Sequence, residues 1–343
     1  MSAGVDSTRI AAAEPDEQRW LEAAEGHYGQ RLTVAGSRSL AGGYVSDDVR
    51  LYELAAADAR FAVVWKRTSA REVAALRAVD QVPGIGGPWL LAHGESGPAG
   101  AAAPGGPGGS DAAWVLMPHH TGTPLVDGQP VPDSVYEILA RVHAHYQGRP
   151  VGGLPVVDAA FWRRLCLDVA LPAVRGAARR CAEEAGGSDA AGDVSVAARE
   201  ILVEAESRLL AWSSDERMLA ALAVLPATLA HGDLHRGNIL EGPGGSVIID
   251  WGGARIAPGG LDLAVLAEQG GVDHGRYRRR LAELTGRPVV AGLVDVEQQW
   301  ALATGYVQYL GFAADCMGAD RVGVMVDRAS QAFDRLGPAL SRL

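Results

Sequence analysis

The chain has 343 residues, 48% of them hydrophobic and 21% charged, a make-up that fits a globular protein and excludes wholesale disorder. With 31 Lys and Arg against 41 Asp and Glu, the net charge is −10, which argues against a sequence-independent grip on nucleic acid or on an anionic membrane surface. Cys166, Cys181 and Cys316 are odd in number and lack CxxC spacing, so neither a disulfide framework nor a zinc knuckle is expected. The N-terminus has no basic-then-apolar leader and no run of apolar residues is long enough to span a bilayer, so the sequence reads as a soluble, cytoplasmic protein with reduced thiols.

Residues 31–66 hold three short segments rich in branched and aromatic residues, "RLTVAG", "VRLYELA" and "RFAVVWK", parted by turn signals; they predict an antiparallel meander. In "SAREVAALRAVD" the pair Ser69 and Glu72 has capping-box spacing, with Val73, Leu76 and Val79 as the apolar stripe of a helix. Residues 99–110, "AGAAAPGGPGGS", cannot bury enough apolar area to offset ordering and predict a flexible loop, bounded here as 95–111. After the strand "AWVLMPHH" helical periodicity takes over: "DSVYEILARVHAHYQ" puts Val135, Ile138, Leu139, Val142 and Tyr146 on one face. Residues 158–228 and 262–343 read as helical, and between them "NIL" and "VIID" flank a "GPGG" turn as in a β-hairpin. The expected organisation is an N-terminal lobe over 1–117 and a helical C-terminal lobe over 118–343.

The hairpin carries the chemistry. Asp233, Asn238 and Asp250 are oxygen donors on a loop, a strand start and a strand end, and pairing of the strands brings Asn238 and Asp250 side by side. Two hard oxygens on rigid backbone suit Mg²⁺, which keeps water and phosphate as its other ligands. Asp233 then stands nearby as a proton acceptor, the division of labour that phosphoryl transfer requires.

"HGDLHRGN" followed by "IIDW" resembles the catalytic and metal loops of the aminoglycoside phosphotransferase and choline kinase family, relatives of the protein kinases. The resemblance implies an α+β, bilobal protein-kinase-like fold with a small β-rich N-lobe and a larger, mainly helical C-lobe. It implies that Asp233 is the catalytic base and that Asn238 and Asp250 are the metal ligands for Mg²⁺. "FAVVWK" resembles the kinase lysine strand, so that Lys66 would contact the phosphates of ATP or GTP with Glu72 as its ion-pair partner. "SLAGGYVSDDV" stands where a phosphate-covering loop belongs, without the G-x-G-x-x-G pattern, and "WVLMPHH" stands as the hinge whose backbone from Met117 to His119 would hydrogen-bond the purine. His235 falls where a kinase loop often has a Lys near the transferring phosphate, and "GGLDLAVL" resembles the family's Asp-Leu-Ala segment at Asp262.

Beside these stand plainer readings. His231 is expected to brace the loop through its ring, Arg236 to be solvated or loop-bracing, and Asp262 to cap the helix that follows "PGG". Trp300, Tyr306, Tyr309 and Phe312 make an aromatic stripe that reads as core, while Asp315 and Asp320 read as a solvated face. A binuclear phosphoesterase needs an earlier D-x-H and a later G-N-H-[DE], neither of which the chain contains. A kinase-like binding protein without catalysis conflicts with the joint presence of Lys66, Asp233, Asn238 and Asp250. The expected partner is a small hydroxylated substrate. Because the Ala-, Gly- and Arg-rich composition resembles that of antibiotic-producing high-GC bacteria, an antibiotic is the leading acceptor class, with a primary metabolite such as an amino alcohol, sugar or nucleoside as the alternative.

Overall fold

The structure is a computed structural model and describes residues 17–40, 48–87, 89–95, 112–185 and 192–343. Most of the expected phosphate-covering segment and nearly all of the Gly/Pro-rich loop lie outside these residues. The chain divides into two compact units, Met1–Asp80 with Gly86–His119, and Gln81–Ile85 with His120–Leu343.

The first unit is built on a five-stranded sheet. Strands β1 (Thr33–Ser39), β2 (Val49–Ala55) and β3 (Arg60–Ser69) form the expected meander, and β4 (Ala92–Glu95) and β5 (Ala112–Pro118) complete the order β1-β2-β3-β5-β4, antiparallel throughout. Alternation along β3 buries Val63 and Trp65 on one face, as period-2 side-chain geometry requires. That face is covered by a helix the sequence reading did not foresee, α1 (Glu17–Tyr28), whose Trp20 and Ala24 pack with Tyr52, Leu54, Val63, Trp65, Trp114 and Leu116. Helix α2 (Ala70–Val79) follows β3 directly. The expected capping box is absent: Ser69 makes no side-chain cap bond, because Glu72 turns instead to Lys66 and Thr68.

The second unit is mainly helical. A short strand β6 (Thr123–Pro124) leads to α3 (Asp133–Tyr146), which buries the predicted face of Val135, Ile138, Leu139, Val142 and Tyr146. Then come α4 (Ala159–Arg164), a π-helical turn (Leu165–Ala170), α5 (Leu171–Ala185), α6 (Gly192–Trp212) and α7 (Glu216–Val224). Strands β7 (Ala227–Ala230), β8 (Ile239–Gly242), β9 (Gly245–Ile248) and β10 (Arg255–Pro258) follow. Helices α8 (Gly260–Glu268), α9 (His274–Thr285), α10 (Ala291–Cys316) and α11 (Ala319–Leu340) complete the unit. Its core lies between α4 to α7, α8, α10 and α11, around Trp162, Trp212, Trp300 and Phe333, with the rings of Trp212 and Phe333 stacked 4.9 Å apart. No helix among the described residues is long and apolar enough to cross a membrane.

Candidate active site

The expected hairpin is present as β8 and β9, paired from Ile239↔Ile248 to Gly242↔Gly245, with β6 added on the far side of β8. At the open end of the hairpin the Ile249 N–H donates to the Asn238 carbonyl at 2.9 Å. The pairing thus brings Asn238 into register with the segment that ends on Asp250. Asp250 is the only non-glycine residue with a positive φ among those described, at φ 63° and ψ 62°. This left-handed conformation is one that Asp tolerates better than most side chains, and strain of this kind gathers at functional sites. The Asp250 side chain is exposed, while Trp251 behind it is fully buried.

The loop from His231 to Asn238 joins β7 to β8 and is held from several sides. The Asn238 side-chain N–H donates to the Asp233 carbonyl at 2.9 Å, which leaves its amide oxygen as the group on offer to a cation. His231 is buried; its Nε2 donates to the Ile249 carbonyl at 2.9 Å and its Nδ1 accepts the Asp233 N–H at 3.3 Å, the bracing role expected of it. Arg236 is also buried and donates to the carbonyls of Val126 and Gln129, each at 2.6 Å, and of Gly270. His235 Nδ1 accepts the Gly237 N–H at 3.1 Å, so this imidazole caps the short turn Arg236–Asn238.

Asp262 overturns the capping expectation. Gly259, not Asp262, precedes α8, and Asp262 lies buried inside the first turn of that helix. Its carboxylate accepts the N–H groups of His231 and Gly232, each at 2.8 Å, and meets His143 Nε2 at 3.2 Å, with Tyr277 on the other ring nitrogen of His143 at 2.7 Å. Burial pushes the Asp262 carboxyl up, but the neighbouring His143 and His231 rings and the Gly232 N–H outweigh it and hold the group below the usual carboxylate range.

Two glycines let the loops touch. Gly232 has φ +77°, and a Cβ there would stand 2.4 Å from the Gly253 carbonyl oxygen; a Cβ on Gly253 would stand 2.9 Å from the Asp233 Cβ. Arg255 ties the same two loops by donating to the Gly253 and Gly232 carbonyls at 3.0 and 2.9 Å. The loop that carries Asp233 and Asn238 and the loop that begins at Asp250 are thereby held against each other. Two further residues touch the Asp233 loop, Gln308, which the sequence reading passed over, and Tyr309, which it read as core. Gln308 donates to the Gly232 carbonyl at 2.9 Å, and the Tyr309 hydroxyl donates to Asp233 Oδ1. The aromatic stripe is core at Trp300 and Tyr306, while Phe312 is 37% exposed and Tyr309 faces the carboxylate. Helical spacing gave the stripe, but not which tertiary neighbour each ring would meet.

In the first unit, Lys66 Nζ lies 2.9 Å from Glu72 Oε2, with Glu72 almost wholly buried. Met117 pairs with Val64 in the sheet, and the His119 N–H is committed to the Ala62 carbonyl at 3.0 Å. Burial, with Arg38 nearby, lowers the His119 imidazole below its ordinary range.

A sequence model of the phosphotransferase enzyme family (APH) matches residues 44–293. The chain belongs to this family. It is a small-molecule phosphotransferase whose acceptor group is a hydroxyl. No curated protein sequence matches it significantly. Among solved structures, the phosphotransferase is similar to a protein named as a fructosamine-3-kinase from Thermobifida fusca YX-ER1, at 17% identity over 96% of this chain and 100% of that one, with a TM-score of 0.51. It also aligns with a spectinomycin phosphotransferase in complex with ADP and spectinomycin (14% identity, 98% and 100% covered, TM-score 0.48). A choline/ethanolamine kinase family protein from Mesorhizobium loti aligns as well (13%, 89% and 92%, TM-score 0.47). The likeness at a TM-score of 0.51 speaks to the fold, which is kinase-like, with a small antiparallel β-rich part and a larger helical part, as expected.

Proposed function

We propose that this phosphotransferase moves the γ-phosphoryl group of ATP or GTP to a hydroxyl of an antibiotic, with Asp233 as the base. The observation that carries the reading is the cluster itself: a carboxylate on a loop locked by His231, Arg236, Arg255 and Asp262, beside an amide and a carboxylate on adjoining ends of one hairpin. Asp233 accepts the acceptor's proton as the acceptor oxygen bonds to the γ-phosphorus and the bond to the bridging oxygen breaks, releasing the nucleoside diphosphate. Asn238 and Asp250 fit Mg²⁺, since one amide oxygen and one carboxylate are the few hard ligands that ion takes from protein. Bound there, Mg²⁺ would neutralise charge on the donor's phosphate oxygens.

Lys66 adds a positive charge for the donor phosphates, held in place by Glu72. His235 has its Nδ1 engaged with Gly237 and keeps Nε2 as the atom for a phosphate contact. Met117 and His119 offer the purine their backbone, from which the His119 N–H is already withdrawn into the sheet. The choice of an antibiotic as acceptor rests on the composition of the chain.

Two measurements test this. A screen of hydroxylated antibiotics, amino alcohols, sugars and nucleosides with γ-labelled ATP and GTP is expected to label an antibiotic; label confined to metabolites would refute that acceptor class. Asp233→Asn is expected to keep nucleotide binding while turnover drops about 10²-fold or more, and near-normal turnover would sink the base assignment.

A further inference from the structure

Helix α10 sets two consecutive side chains on the loop that carries Asp233: Gln308 on the Gly232 carbonyl, and Tyr309 on Asp233 Oδ1. The Tyr309 ring packs against the main core of the helical unit. Burial first, and the Asp233 charge beside it, push the phenol far above its ordinary range, so its hydroxyl remains a proton donor. An acceptor hydroxyl must come within hydrogen-bond reach of this carboxylate to lose its proton. Tyr309 already holds an O–H in that relation to Asp233.

We propose that Tyr309 determines specificity for the acceptor over water, its hydroxyl capping Asp233 until an acceptor displaces it. The inference rests on Asp233 being the base. Water presents the same O–H as an alcohol but makes too few other contacts to offset the removal of a core-packed phenol. A multi-contact acceptor has binding energy to drive the exchange. Gln308 grips the neighbouring residue of the loop, so the backbone that carries Asp233 stays aligned when the cap is off. Tyr309 is therefore a positioning residue that acts through Asp233. Without the cap, a water molecule gives its proton to Asp233 while its oxygen bonds to the γ-phosphorus; the bond to the bridging oxygen breaks, leaving phosphate and nucleoside diphosphate.

The test needs no acceptor. The full chain is incubated with Mg²⁺ and either ATP or GTP, and phosphate release is followed. Tyr309→Phe, which keeps the ring, is expected to release phosphate about tenfold faster than the wild type, the effect of losing one hydrogen bond to a charged group. Tyr309→Leu should move the same way, and Tyr309→Phe combined with Asp233→Asn should fall back to the wild-type rate or below. Rates unchanged or lowered in both single variants, with both nucleotides, overturn the cap while leaving the base assignment standing. A raised rate that persists when Asp233 is also replaced removes the base assignment, and the cap falls with it.

Discussion

Asp262 shows how much one buried carboxylate does at this site. It accepts two backbone N–H groups of the loop that carries Asp233 and meets an imidazole, and its titration is set below the ordinary carboxylate range. The folded chain therefore binds fewer protons than the unfolded chain as acid is added. The stability this group contributes is complete above about pH 4 and is lost as pH falls through the lower folded value. Asp262→Asn is expected to cost about 2–4 kcal/mol at neutral pH and to flatten the acid side of the stability curve, read by denaturant melts from neutral to acidic pH. An unchanged acid slope would count against the charged form. Asp250 makes the opposite case, because its backbone is held where glycine is more comfortable. Asp250→Gly is expected to leave stability unchanged or raise it by up to about 1 kcal/mol while abolishing Mg²⁺-dependent nucleotide binding, measured by calorimetry with and without the metal. Retained Mg²⁺ dependence would remove Asp250 from the ligand set.

Among the elements, the unit that matters is a pair of loops pressed together, one after β7 and one after β9. Their approach is closer than a side chain permits: a methyl at Gly232 would run into the Gly253 carbonyl and the Arg255 guanidinium, at a φ that alanine adopts poorly. Gly232→Ala is expected to lose about 2–4 kcal/mol of stability and most of the turnover together, seen as a lower melting temperature and a lower kcat in one variant. A variant that melted normally yet had lost turnover would mean that the glycine serves substrate access rather than loop packing. Much of this element was legible from residue order, because "GPGG" between two apolar runs can form little but a hairpin. The identities of its supports were not, since Asp262 reaches the loop from α8 and is backed in turn by His143 of α3 and Tyr277 of α9.

For the molecule as a whole, the core of the helical unit offers a built-in reporter. Cys166 is fully buried and its thiol is pushed up to about 12 by burial, whereas Cys316 is exposed. A thiolate-selective maleimide is expected to label Cys316 at once and Cys166 only as the unit unfolds, so that Cys166 labelling along a urea gradient should follow the loss of helical signal. Labelling of Cys166 well before that transition would show that the π-helical turn opens on its own.

The meander, the helix over 133–146 and the hairpin next to the loop that carries Asp233 could be read from residue order, because turn chemistry, apolar periodicity and fixed spacing act over short stretches of chain. The reading went wrong or fell silent where the deciding partner is remote in sequence. Trp20 makes a covering helix of a stretch with little pattern of its own, whereas Lys66 and Glu72, near in sequence, form the ion pair that the resemblance implied. Asp262 and Tyr309 each look like ordinary helix residues until packing sets one under the His231–Asn238 loop and the other against the Asp233 carboxylate. Burial and long-range hydrogen bonds depend on which surfaces meet once the core has formed, and no local pattern encodes that meeting.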